Sequence, residues 1–136
     1  MRKILITGSR KYGLCEAMCN LFDTMPDIEY ETASRSNGYH LDTAEGQRKL
    51  AEYYIKGNFD IFINNSAIWK FQQVMIVECV FNAMEDACRK GHIINIGSTA
   101  DTGVKGRTWR YPTEKKALKA YNRDLTYKAM GGSNIK

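Results

Sequence analysis

Short apolar runs and longer amphipathic stretches take turns along this chain. Lys3-Ile4-Leu5-Ile6 is a compact run that stops at Thr7-Gly8, and similar runs occupy 28–33, 60–65 and 92–96. Each has the length of a buried strand and gives way to polar residues or glycine. Tyr39-His40-Leu41, just after the turn signal Asn37-Gly38, adds a very short strand candidate. The intervening stretches show helical spacing instead. Over 14–25 the apolar positions are Leu14, Ala17, Met18, Leu21 and Phe22, and Pro26 follows the stop. Asp42-Thr43 reads as a helix cap before 44–56, and Gly57-Asn58 as its end. A long helix is predicted over 72–90, closed by Gly91, and another over 112–130, with Pro112 in the first turn and Gly131-Gly132 beyond. Strand and helix alternating in this way predict one α/β domain over 1–136. Its expected core is a doubly wound parallel sheet of about five strands in three α/β/α layers.

Composition leaves that picture intact. With 136 residues, 43% hydrophobic and 26% charged, the chain is globular in type and long enough to bury a core. No apolar run approaches the length that spans a bilayer, and Met1 to Gly8 is too short in its apolar part for a signal peptide. A cytoplasmic location and no membrane partner are expected. Cys15, Cys19, Cys79 and Cys88 form no Cys-x-x-Cys pair and have no nearby histidine, so reduced, partly buried thiols are expected, and no metal. The net charge of +5 is scattered rather than blocked, which argues against nucleic acid and suits a phosphorylated cofactor. His40 and His92 stand alone and read as structural or exposed residues.

In a parallel sheet of this kind, ligands sit at the carboxyl ends of the strands. Thr7-Gly8, Asn64-Asn65 and Gly97-Ser98 all fall at such ends. In Thr7-Gly8-Ser9-Arg10-Lys11-Tyr12-Gly13-Leu14-Cys15, Gly8 and Gly13 bracket the first strand–helix turn. There backbone N–H groups can face a pyrophosphate, as in a Rossmann-type domain. The glycines alone fit an ordinary turn equally well, and their place in the first βαβ unit tips the reading toward a dinucleotide. Arg35, in Ser34-Arg35-Ser36 after the second strand, suits a ribose 2′-phosphate, and Arg10 or Lys11 adds a second cation. NADP is therefore expected over NAD. Tyr111 and Lys115, four apart at the start of a helix, project from one face, where an ammonium favours tyrosinate. Such a pair alone arises readily by chance, but its place just after a strand-end serine favours Tyr111 as general acid toward a carbonyl oxygen that Ser98 also bonds. Trp69 and Trp109 flank this region as pocket or packing residues.

Taken together, these segments resemble the short-chain dehydrogenase/reductase family over nearly the whole length. Thr7-Gly8 through Gly13-Leu14-Cys15 resembles its Gly-rich cofactor loop, with one extra residue and Cys15 in place of the last glycine. Asp42 resembles the acidic residue placed beside the adenine. Asn64-Asn65-Ser66-Ala67 resembles the Asn-Asn-Ala-Gly segment that steadies the sheet and adjoins the cofactor. Ile94 to Ser98 resembles the strand ending in the catalytic serine, and Tyr111-Pro112-Thr113-Glu114-Lys115 the Tyr-x-x-x-Lys centre at the usual spacing. By this resemblance Ser98, Tyr111 and Lys115 are catalytic, and Lys115 also holds the nicotinamide ribose. The cofactor residues implied are Thr7, Gly8, Ser9, Arg10, Lys11, Gly13, Leu14, Arg35, Asp42, Asn64, Asn65, Ser66, Tyr111 and Lys115.

Three departures from the family pattern stand out. The stretch from Asn65 to Ser98 is short, and Gln72 or Gln73 is the nearest amide to the family's relay asparagine. Pro112 biases Tyr111 away from helical geometry. The chain also stops where the family's sixth strand begins, which leaves the strand at 92–96 as an expected open edge. The function expected is NADP(H)-dependent oxidoreduction of a small-molecule carbonyl or alcohol, in a homo-oligomer (dimer or tetramer), since the two long helices resemble those the family uses for dimers. The rival expectation is a catalytically silent NADP-binding module acting through a partner.

Overall fold

In the computed structural model, which describes residues 1–66, 68, 70–98, 110–131 and 135, the strand runs become a parallel sheet. The elements are β1 (Arg2–Thr7), α1 (Gly13–Phe22), β2 (Ile28–Ala33), α2 (Ala44–Lys56), β3 (Ile61–Asn64), α3 (Gln72–Asp86), β4 (His92–Asn95) and α4 (Arg110–Met130). The four strands lie in the order β2-β1-β3-β4. Because all of them are parallel, their carboxyl ends meet on one edge of the molecule. The alternation of side chains along each strand divides the core. Leu5 and Phe62 join Leu50, Tyr54, Val80 and Phe81 on the side of α2 and α3. Ile4, Ile6 and Ile63 join Cys15 and Cys19 of α1 on the other side.

The described residues hold four strands, not the five expected. Tyr39 to Leu41 pairs with nothing in the sheet, because the polar residues before it capture the backbone first. A 3-10 turn at Arg35–Asn37 forms, with the Asn37 side chain accepting from Ser34 N at 2.7 Å and donating to the Thr32 carbonyl. Leu41 then drops into the core as a loop residue. The apolar face of α1 also differs from expectation. Cys15 and Cys19 face the sheet, whereas Leu14 and Leu21 are half exposed. Their thiols pack with Ile4, Ile6 and Ile63 in that half of the core.

Two helix ends moved as well. α3 stops at Asp86 rather than residue 90 because Cys88 adopts φ 51°. Arg89 then turns its guanidinium onto the Ile55 and Phe59 carbonyls and Asn58 Oδ1, between 3.0 and 3.2 Å. α4 begins at Arg110, so Tyr111 is helical despite Pro112, a residue that a first turn tolerates because its missing N–H has no partner there. After α4, Ile135 is buried and forms a single parallel bridge to Gly91, beside the β4 edge. Among the described residues no helix is long and apolar enough to cross a membrane.

Candidate functional site

Gly8 continues β1 into the loop, with its N–H on the Ala33 carbonyl at 2.9 Å and φ at 138°. A Cβ at Gly8 would stand 2.8 Å from Asn65 Nδ2 and 3.1 Å from Cys15 Cβ. Glycine is therefore required by both conformation and space. Cys15 occupies the position of the missing last glycine, and burial, chiefly, pushes its thiol up to about 12, so it packs as a neutral apolar group. Gly8, Ser9, Lys11, Gly13, Leu14, Arg35, Asn65 and Ser66 line one cleft of about 760 Å³ at the amino end of α1. The chain thus brings together most of the cofactor residues expected from sequence, in a cradle open enough for backbone to meet a pyrophosphate.

Three of the residues expected at the cofactor have partners within the protein. Thr7 is fully buried, and its hydroxyl accepts from Asn65 N at 2.9 Å and Ser66 N at 3.1 Å, which locks the exit of β3 to that of β1. Asn64 is also buried, donating 2.9 Å bonds to the Gln73 carbonyl and to Asn95 Oδ1. Arg10 turns onto Asp23 at 2.6 Å and over the Tyr30 ring. With the Tyr30 hydroxyl first and Arg10 second, Asp23 is held below the usual carboxylate range. Of the two loop cations, Lys11 is the one that lines the cleft.

Arg35 and Asp42 meet at 3.5 Å across a smaller cavity of about 200 Å³, next to Ser66 and Ile68. A third cavity, of about 240 Å³, is walled by Ile68, Phe71 and Val74 and by Gln73, Tyr111, Glu114 and Lys115. Ile68 lines all three spaces, so the cleft at the amino end of α1 and the Tyr111–Lys115 pair share a wall. Lys115 is buried at 4% exposure and donates to Gln73 Oε1 at 2.8 Å and to the Ile96 carbonyl at 2.9 Å. Its ammonium lies 5.7 Å from the centroid of the Tyr111 ring. Burial lowers the Lys115 pKa, with Glu114 opposing. Ser98 is half-buried beyond β4, two residues after the carbonyl that Lys115 holds, and is not among the described lining of the Tyr111 cavity. Trp69 and Trp109 lie outside the described residues.

The sequence offered Gln72 and Gln73 equally, and the fold separates them. Gln73 receives Lys115, while Gln72 accepts from Gln47 of α2 at 2.6 Å. Glu114 and Phe71 were not foreseen: the Glu114 carboxylate accepts from Phe71 N at 3.0 Å. The only sequence signal was the place of Glu114 within the Tyr-x-x-x-Lys segment. Among the described residues no cluster of metal-binding type occurs.

The sequence matches no protein-family model and no curated protein. Solved structures do match. A 4-hydroxyisoleucine dehydrogenase complexed with NADH superposes with a TM-score of 0.78 at 19% identity, over 100% of this chain and 72% of that one. A short chain dehydrogenase from Leptospira borgpetersenii serovar Hardjo-bovis with bound NAD+ gives 0.74 at 14%, over 99% and 68%. Serine dehydrogenase from Escherichia coli gives 0.71 at 16%, over 98% and 78%. At such identities the likeness is one of architecture: the chain has the Rossmann-like α/β fold of the short-chain dehydrogenases along nearly its whole length, and spans 68% to 78% of theirs.

Proposed function

We propose that the chain is an NADP(H)-dependent oxidoreductase acting on a carbonyl or alcohol. The observation that carries this reading is the shared wall at Ile68, which sets Tyr111 and Lys115 beside the cleft formed by the Gly-rich loop. The residues fit a dinucleotide: Gly8, Ser9, Lys11 and Gly13 line the cleft, where the loop would hold a pyrophosphate, and Arg35 would hold a 2′-phosphate. NAD(H) is present in two of the three similar structures named above. Bound in the cleft, the nicotinamide would supply hydride to a carbonyl carbon. Tyr111 would give its proton to the carbonyl oxygen, and Ser98, beyond the end of β4 and outside the described lining of the Tyr111 cavity, would orient that oxygen only by reaching it from the β4 side. Lys115 keeps a positive charge beside the phenol ring and so favours the tyrosinate left behind.

The test is NADPH oxidation with a panel of carbonyl compounds, for the parent and for Tyr111→Phe. Loss of at least a hundredfold in the variant is expected. Equal rates remove Tyr111 from the chemistry. One observation favours a second reading, a module that binds NADP(H) without turnover: Lys115 points two of its protons at Gln73 and Ile96. Fluorescence titration showing tight NADPH binding, with no carbonyl reduced, decides for that reading.

A further inference from the structure

We propose that the cavity beside Tyr111 binds a small, uncharged, apolar carbonyl compound, and that Phe71 sets its selectivity. The proposal takes from the functional reading only that this cavity is the substrate's place. Lys70 and Phe71 are consecutive non-glycine residues with φ of 63° and 60°, a conformation that L side chains adopt at a cost. They stand just before α3, where Phe71 serves as the helix cap without any side-chain oxygen to do so. What holds them is Glu114 of α4, whose carboxylate takes the Phe71 N–H at 3.0 Å. The strained turn therefore fixes an aromatic ring at the cavity wall, and that ring remains 40% exposed instead of joining the core.

Charge narrows the ligand further. Among the described residues that line it, the charged groups are Lys115, with two of its three N–H groups on Gln73 and Ile96, and Glu114, so the wall carries no net charge toward a ligand. The Glu114 carboxylate on the same wall repels an anion. The apolar side of the space is Ile68, Phe71 and Val74. At about 240 Å³ the cavity is smaller than the ~300 Å³ lower bound of drug-sized pockets. A small space with an apolar side suits a compound such as a simple aryl ketone or aldehyde.

The test titrates the full chain, with and without NADP+, against acetophenone and 4-acetylbenzoate, while following Ile68 and Val74 methyl resonances. Acetophenone is expected to shift both, and the carboxylate analogue to bind at least tenfold more weakly. Phe71→Gly removes the ring and also relieves the left-handed strain, so the variant should fold at least as stably while binding acetophenone at least tenfold more weakly. Phe71→Leu should fall between. Unmoved resonances, equal binding of the carboxylate, or unchanged affinity in Phe71→Gly each overturn the proposal. If binding follows expectation and no carbonyl is reduced, this proposal stands and the oxidoreductase reading falls. If reduction occurs and Phe71→Gly keeps the parent's preference, the reverse holds.

Discussion

Lys115 donates to Gln73 Oε1 at 2.8 Å, joining α4 to α3 through a buried ammonium and a neutral amide. The same amide donates to the Asn64 carbonyl at 2.9 Å, so Gln73 couples the cation to the end of β3. A buried charge without partners is expensive, and here the compensation rests on two acceptors, Gln73 Oε1 and the Ile96 carbonyl. Gln73→Leu should therefore destabilise the chain by about 2–3 kcal/mol, the order expected when a hydrogen bond to a charged group is lost. Gln73→Glu, which offers Lys115 a carboxylate but loses the donor to the Asn64 carbonyl, should recover only part of this. Urea unfolding of the three proteins measures it, and a Leu variant as stable as the parent refutes the assignment.

Burial lowers the Lys115 pKa from 10.5, against the opposing pull of Glu114, and this fixes a pH signature. Between the lowered folded value and 10.5, the unfolded chain holds a proton that the folded chain has released. Stability rises with pH wherever the unfolded state binds more protons. The advantage of the parent over Lys115→Met should thus be flat at lower pH and grow through the window that closes at 10.5. Chemical unfolding of both across that range reads the slope, and a difference that falls with pH shows the ammonium to be favoured by folding.

Much of this molecule is legible in the pattern of its residues. α2 occupies Ala44–Lys56, where the Thr43 cap and Gly57 place it, and the strand ends at Thr7-Gly8, Asn64-Asn65 and Ile96 to Ser98 share one edge. These features are local, set by caps and by period. What escaped the sequence is decided across distance. The Glu114–Phe71 bond spans 43 positions, and nothing near Phe71 announces a left-handed cap. The inward turn of Lys115 depends on which of two adjacent glutamines faces it, a matter of helix phase. Leu14 and Leu21 fit an apolar helical face on paper, yet the helix is turned so that Cys15 and Cys19 face the sheet, a matter of phase that the pattern does not fix. Asn37 diverts the backbone before Tyr39 to Leu41 can pair, a competition between side chain and sheet that propensity does not weigh.

Thr7 gives a sharper case of a site residue acting through the frame. Its hydroxyl oxygen satisfies two backbone N–H groups, of Asn65 and Ser66, at the wall of the cleft beside the Gly-rich loop. Thr7→Val keeps the shape and removes the acceptor, leaving two part-buried donors unpaired, at a cost of about 1–3 kcal/mol. Because Asn65 and Ser66 line the cleft, NADPH affinity should weaken with it. Thr7→Ser, which retains the oxygen, should restore both. Should Val match Ser in thermal unfolding and in fluorescence titration, the hydroxyl is not what holds this loop.

Arg35 and Asp42 approach to 3.5 Å with side chains 75% and 47% exposed, a contact that water screens and that constrains the guanidinium little. The arginine can therefore leave its carboxylate for a denser charge, and a 2′-phosphate at the cavity it shares with Asp42 offers one. Arg35→Ala should weaken NADPH binding by about tenfold or more and leave NADH binding nearly unchanged, since NADH carries a plain 2′-hydroxyl. Asp42→Asn removes the competing charge and should tighten NADPH modestly, with the gain shrinking as salt is raised. Arg10→Ala is the internal control: its guanidinium is engaged by Asp23, so neither cofactor should respond. Paired titrations with NADPH and NADH at fixed ionic strength give the answer. An equal loss for the two cofactors in Arg35→Ala means that the arginine supports the loop and does not read the phosphate.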